Sequence, residues 1–159
     1  MSEQPEHEGY DLAYREGLRA ITQQQSVLDG LRSRAGTLLA VASLVTSFLG
    51  GLALQGKPPA GLAWLAIALF LTAAAAVMYV LTSRSGWRFR TRPSVIINDY
   101  VEGNPSAPAW EMRKELAAHL ESDFDANEAR MSPLFHALSL ANIALAAEVV
   151  VWLIMLWRK

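Results

Sequence analysis

The chain contains no cysteine, and charged residues are missing from long parts of it. Without cysteine it can form neither a disulfide nor a thiolate zinc site. Charge is absent from 22 consecutive residues (35–56) and from 26 more (58–83), and between 131 and 157 only Glu148 carries one. A helix of about 20 apolar residues crosses the hydrocarbon of a bilayer. Each of the three runs is therefore long enough to span a membrane.

The second run also lacks the polar face that a core helix of a soluble protein keeps. Between Leu62 and Leu81 apolar residues cover every side of the predicted helix. Three helices of this kind cannot all be central in a chain of 159 residues. The pattern therefore predicts an all-α integral membrane protein with three transmembrane helices.

The first half of the chain divides into two predicted regions. Residues 1–34 are expected to form a polar tail and an amphipathic cytosolic helix. One face of that helix is made by Tyr14, Leu18, Ile21, Gln25, Leu28 and either Leu31 or Arg32. Because no helix-ending signal separates them, this helix is expected to continue into the first span. Residues 35–83 are expected to form a transmembrane hairpin (35–56 and 61–82), since Pro and Gly are concentrated between the two apolar runs.

The second half divides in the same way. Residues 84–132 are expected to hold a basic linker, a loop over 98–108 and a second amphipathic cytosolic helix that starts after Pro108. One stripe of that helix is formed by Met112, Leu116, Leu120 and Phe124. Ser132-Pro133 is expected to restart the chain into the third transmembrane helix, residues 133–159.

The positions of the arginines predict the orientation. Two precede the first span and four follow the second, whereas the hairpin offers only Lys57; the six are Arg32, Arg34, Arg84, Arg88, Arg90 and Arg92. Positively charged flanks stay on the cytoplasmic side. We therefore expect a multi-pass protein of the cell inner membrane, with its N-terminus and residues 84–133 in the cytoplasm.

Glu148 is the one ionisable residue inside a predicted span, near the level expected for Ser47 and Thr72. A charged side chain at that depth is costly when it faces lipid, so it should face protein or water. One interpretation is a pore-lining or gating carboxylate. The other is an interhelical hydrogen bond to Ser47 or Thr72 that holds the bundle together.

Small residues four positions apart mark the first span, at Ser43, Ser47 and Gly51. Such a stripe lets two helix backbones approach closely. The partner is either the second span or another copy of the chain, and we expect a homo-oligomer.

Two groups of charged residues are candidate ligand sites. Arg88, Arg90 and Arg92 could contact a phosphate, but their place beside a span favours lipid head groups. The second cytosolic helix has one face formed by Glu111, Glu115, His119 and Asp123. Neighbours in this set could bind a metal ion, but the same spacing is equally typical of a solvated acidic surface. No metal and no cofactor is expected. A nucleophile–base pair, a glycine-rich phosphate loop and the HExxH motif are missing, so no enzyme is predicted. The net charge of −1 argues against binding to nucleic acid.

The order of these elements resembles a known class of protein. A cytosolic helix with the sequence of 23–36 leads into a hairpin, followed by Arg92-Pro93 and by a helix with Asp125-Ala-Asn-Glu128 before a last span. This order is similar to that of the Pycsar transmembrane effectors of bacterial cyclic-nucleotide defence and of related SLATT-type domains. Where the Pycsar family has an Asp-Thr-Lys-Ala element, this chain reads Leu31-Arg-Ser-Arg-Ala-Gly36.

The resemblance implies a function in antiviral defence. It implies a membrane effector that oligomerises and impairs the inner membrane when a cytosolic signal, such as a cyclic nucleotide, arrives. The alternative is a non-toxic accessory subunit that binds a partner protein through its two cytosolic helices.

Overall fold

The computed structural model describes residues 3–55, 60–83, 86–89, 97–103 and 108–158. Three α-helices account for most of them: α1 (Glu3–Ala53), α2 (Ala60–Thr82) and α3 (Ala109–Trp157). All three are long enough and apolar enough to cross a membrane. The prediction of an all-helical chain with three helices of this kind is confirmed.

Helix α1 is continuous, as expected, and Gly30 and Gly36 do not interrupt it. Its inward-facing residues follow a seven-residue repeat, the pattern of helices that pack side by side. Buried members of the repeat are Ile21, Gln24, Leu28, Leu31, Ala35 and Ala42. The expected face was wrong at two positions, because Leu18 and Gln25 are exposed while Gly17 is half-buried and Gln24 buried. A Cβ at Gly17 would lie 3.1 Å from Leu120, so the glycine makes room for that leucine.

Helix α3 is also continuous, and the restart expected at Ser132-Pro133 does not occur. Pro133 lies inside the helix on an exposed face. It has no N–H to donate to the carbonyl four residues earlier, but one missing bond does not end a helix that is held by packing along its length. The stripe expected from Met112 to Phe124 faces inward, with Leu116 and Leu120 buried.

Two connections join the helices: the segment between α2 and α3, and the turn between α1 and α2. The expected loop over 98–108 begins instead as a π-helical turn, Ile97–Glu102, which offers its backbone N–H groups internal partners. The hairpin turn after α1 lies largely outside the described residues, which omit 56–59.

The chain separates into two compact units. The first contains Met1–Leu28 and Ser85–Met131. Within it, the first half of α1 runs parallel to the first half of α3: His7 stacks on Trp110 at 5.2 Å, and Asp11 pairs with Arg113 at 3.4 Å. Leu116 and Leu120 supply much of the buried apolar surface of α3.

The second unit contains Asp29–Arg84 and Ser132–Lys159. Its core cluster is formed by Ala53, Ala66, Val151, Trp152 and Met155, so all three helices contribute. Its outward side chains are apolar as well: Phe48 is 66% exposed, Trp64 70% and Ile143 65%. An apolar exterior of this kind is typical of a protein surface that meets lipid or another protein.

Candidate functional site

Glu148 occupies the core of the second unit. It belongs to an inward-facing series of α3 residues seven apart, Leu134, Ala141, Glu148 and Met155, none of which is more than 3% exposed. The helical period therefore directs the carboxyl group inward, against the second half of α1. Glu148 itself is fully buried.

Two donors converge on one oxygen of this carboxyl group. The hydroxyl of Thr46 on α1 donates to Oε1 at 2.6 Å, and the indole Nε1 of Trp152, one turn further along α3, donates to the same atom at 2.9 Å. The other oxygen, Oε2, is buried and has no hydrogen-bond partner among the described residues. A buried acceptor left without a hydrogen bond costs about 1–3 kcal/mol.

The partners expected for Glu148 were wrong. Ser47 and Thr72 are both exposed, and each hydroxyl donates to a carbonyl of its own helix: Ser47 to Ser43 at 2.7 Å, and Thr72 to Ala68 at 2.8 Å. Thr46 takes their place because a step of one residue rotates the side chain by about 100° around the helix. The interhelical bond exists, but its donor is the neighbour of the residue that the sequence indicated.

The small-residue stripe is divided in a similar way. Ser43, Ser47 and Gly51 lie on the outward side of α1, and a Cβ at Gly51 would meet nothing within 4 Å. Ala42 and Gly50 are buried on the opposite side. A Cβ at Gly50 would lie 3.3 Å from the indole of Trp152. The close approach inside this unit therefore uses Gly50, and the outward stripe is exposed.

Arg32 makes a contact that the sequence did not indicate. Its guanidinium donates to the carbonyl of Ser83, just after the end of α2, at 2.7 Å. Carbonyls at the end of a helix have no partner within it, and cations near them are favourable. Arg32 also lies 3.9 Å from Asp29. In the sequence, Arg32 indicated only the orientation, and its hydrogen bond also connects α1 to the residue that follows α2.

Of the three arginines proposed to contact phosphate or lipid, the structure describes Arg88; Arg90 and Arg92 lie outside the described residues. The backbone of Arg88 is held by Asn127, which accepts from its N–H at 3.0 Å and donates to its carbonyl at 2.9 Å. Its guanidinium lies 3.4 Å from Asp123 and stays more than half exposed. Arg88 is therefore fixed to α3 in the first unit while its side chain still reaches solvent.

Gly86 belongs to the same first-unit segment. Its backbone is left-handed, with φ of 86°, a conformation that glycine adopts without steric cost. Its carbonyl accepts a hydrogen bond from Arg130. Together with Asn127 and Arg88, this contact docks residues 86–89 onto α3.

Glu111, Glu115 and His119 are exposed on α3, and Asp123 faces Arg88. Within the described part of the chain no three His, Asp or Glu side chains lie close enough together to hold a metal ion.

A groove of about 490 Å³ lies between α1 and α3 in the first unit, and we call it the first-unit groove. Small apolar residues line it, including Ala13, Gly17 and Ala117. It also contains Tyr10, whose ring centroid lies 5.6 Å from Nζ of Lys114. The groove thus combines an aromatic ring with a cation.

No protein-family model, curated protein or solved structure matches this chain. The resemblance to cyclic-nucleotide effectors stays a prediction.

Proposed function

We propose that the chain is a three-span protein of the cell inner membrane that acts as a defence effector: it oligomerises and impairs the membrane when a cytosolic signal arrives. In this proposal the second unit lies in the bilayer and the first unit lies in the cytoplasm. The arginine asymmetry supports the orientation. The apolar exterior of the second unit supports its insertion.

The observation that carries the effector role is the unpartnered oxygen of Glu148. Among the described residues of the chain that oxygen has no hydrogen-bond partner, a cost that a rearranged assembly with water in its core would not have. This cost narrows the free-energy difference between the two arrangements by about 1–3 kcal/mol, and a switch needs two states separated by only a few kcal/mol. A subunit with a purely structural role has no need of a buried carboxyl group that is only half satisfied.

A route for the signal is part of the same proposal. Helices α1 and α3 are each continuous, and each has a first half rich in charged residues and a second half that is apolar. A ligand that changes how the two helices pack in the first unit would therefore act on helices that continue into the second.

We place reception of the signal at the first-unit groove. Lys114 offers a positive charge for a phosphate beside the ring of Tyr10. That ring also stacks on Trp110 at 6.0 Å, and Glu16 and Glu121 line the same groove. A cyclic nucleotide combines a flat base with a phosphate, so the pair of Tyr10 and Lys114 suits its chemistry.

Inducible expression in cells loaded with a membrane-potential dye tests the proposal. The wild-type chain should depolarise cells when a cyclic nucleotide that activates it is supplied, and cells without inducer should keep their potential. If expression never depolarises cells with any nucleotide supplied, the effector function is wrong. The accessory-subunit alternative then predicts that the chain co-purifies with a partner protein bound through its first unit.

A further inference from the structure

A second groove lies between α1 and α3 in the second unit, and we call it the second-unit groove. Its volume is about 440 Å³, and both polar and apolar side chains line it. Arg34 and Thr37 belong to the part nearer the first charged half of α1, and Val41 lies seven residues beyond Arg34, about 10 Å along the helix. Leu38 and Leu138 add further apolar surface.

Among the described residues of this unit, Arg34 forms no ion pair with an acidic side chain. No Asp or Glu occurs from 30 to 53 on α1 or from 131 to 147 on α3. Asp29, the acid that precedes Arg34 on α1, lies beside Arg32. Among the ion pairs formed by the described residues, none includes Arg34, and its side chain is exposed. The groove therefore presents a positive charge that an anion from outside the chain would complement.

Asn142 adds a polar group to the same groove. It is exposed on an otherwise apolar part of α3, and its Nδ2 donates to the carbonyl of Leu138 at 2.9 Å. The amide keeps a second N–H and an acceptor oxygen for another partner. Thr37 donates its hydroxyl to Ser33 at 3.1 Å and can still accept. A polar amide that faces bare hydrocarbon is unfavourable, so a ligand with its own polar groups suits this position.

We propose that the second-unit groove binds one anionic phospholipid. The phosphate contacts Arg34, the glycerol and ester groups lie beside Thr37 and Asn142, and an acyl chain follows Leu38 and Val41. The guanidinium group matches phosphate oxygens with paired N–H donors. This inference rests on the proposed insertion and orientation of the second unit in the membrane, since the order of Arg34, Thr37 and Val41 along α1 is that of the groups of a lipid in the cytoplasmic leaflet.

Native mass spectrometry of the full chain, released from detergent micelles that contain phosphatidylglycerol or phosphatidylcholine, tests the proposal. The wild type should retain one phosphatidylglycerol in preference to phosphatidylcholine by roughly fivefold, the factor expected for one basic residue at an anionic surface. Arg34→Gln should lose this preference. Arg158→Gln removes a charge outside the groove and is the matched control, so its preference should equal that of the wild type.

A second variant tests the apolar part. Val41 is half exposed, so Val41→Trp should fill the groove without disturbing the fold, and circular dichroism checks this. It should lower retention of both lipids. An unchanged preference in Arg34→Gln would overturn the proposal, as would an equal loss in Arg158→Gln. Binding of inorganic phosphate at the same occupancy would indicate a soluble anion. A dimer that Val41→Trp dissociates, without bound lipid, would indicate that a second copy fills the groove.

Failure of this inference can be told apart from failure of the proposed function. Resistance of the chain to alkaline extraction from membranes tests insertion alone. A chain that resists extraction and shows no preference for phosphatidylglycerol overturns only the lipid site. A chain that alkali releases overturns the insertion on which both depend.

Discussion

The hydroxyl of Thr46 donates a 2.6 Å hydrogen bond to Oε1 of Glu148 and so joins α1 to α3 within the second unit. Trp152 donates to the same oxygen, and the indole ring of Trp152 in turn packs against Gly50, one turn after Thr46 on α1. The carboxyl group is therefore held from two sides through one of its oxygens. Its other oxygen is buried without a partner among the described residues.

The Thr46–Glu148 bond should contribute measurably to stability. Thr46→Val keeps the shape of the side chain and removes the donor, so it should lower the free energy of unfolding in detergent by about 0.6–1.7 kcal/mol, the range for hydrogen bonds between membrane helices. Ser47→Ala removes a hydroxyl one residue away that bonds only within its own helix, and should change stability little. If the two substitutions changed the free energy of unfolding equally, the bond from Thr46 to Glu148 would not contribute to stability beyond a hydroxyl that bonds within its own helix.

The two adjacent glycines of α1 should respond differently to a larger side chain. Gly50→Leu brings a side chain against the indole of Trp152, and overpacking of this kind costs about 1–3 kcal/mol. Gly51→Leu points outward and should leave the stability of the single chain nearly unchanged. Thermal unfolding in detergent at a concentration where the chain is monomeric compares them.

The same pair also tests assembly. If the outward stripe of Ser43, Ser47 and Gly51 forms the interface between copies, Gly51→Leu should weaken association by on the order of 1 kcal/mol or more while the monomer stays folded. Crosslinking in membranes measures the oligomer. A wild-type chain that stays monomeric there contradicts the proposed interface.

Much of the fold could be predicted because hydrophobicity depends on composition and not on contacts. The apolar runs and the absence of charge within them were sufficient to predict three long apolar helices, and the lack of helix-ending signals near Gly30 predicted the continuity of α1. The boundary predicted at Pro133 was wrong. A proline usually marks a boundary, yet packing on both sides of Pro133 keeps α3 whole.

The contacts of the site could be predicted only in part. The depth of Glu148 made an interhelical bond one of its two interpretations, but the choice between Thr46 and Ser47 as its donor depends on which face of α1 meets α3. That face is set by where bulky side chains such as Trp152 and Leu120 find space. Glycine supplies the space at Gly50 and Gly17, and a search for apolar residues passes over glycine. Asn127 was also missed, because an amide that binds a backbone segment leaves no pattern in the sequence.

Asn127 should be essential for docking residues 86–89 in the first unit. Asn127→Leu leaves the N–H and carbonyl of Arg88 without their partners, which should destabilise the unit by about 1–3 kcal/mol. Asn127→Asp keeps an acceptor for the N–H and loses the donor to the carbonyl, so its effect should be of similar sign. Glu128→Gln, on the exposed neighbouring position, is the control. Hydrogen exchange at the amide of Arg88 should rise strongly in Asn127→Leu, rise less in Asn127→Asp, which keeps the acceptor, and stay unchanged in the control.

Orientation can be tested cleanly because the chain contains no cysteine. Single cysteines at Gln55, after the end of α1, and at Glu128, in the first unit, should be labelled differently in intact cells. An impermeant maleimide should modify position 55 alone, because the positive-inside rule places residue 128 in the cytoplasm. Both should react after the cells are lysed. Labelling at 128 in intact cells would reverse the proposed topology.

The central claim is that Glu148 takes part in damage to the membrane, and one comparison tests it most directly. Glu148→Gln keeps the shape of the side chain and an acceptor for Thr46 and Trp152 but removes the carboxyl group, whereas Glu148→Leu removes the hydrogen bonds as well. Depolarisation of cells that express each variant at matched levels of assembled protein is measured with a membrane-potential dye and the activating nucleotide. The wild type should depolarise cells, whereas Glu148→Gln should assemble and leave the membrane potential unchanged. Depolarisation by Glu148→Gln equal to that of the wild type, with only Glu148→Leu impaired through loss of folded protein, would contradict the claim.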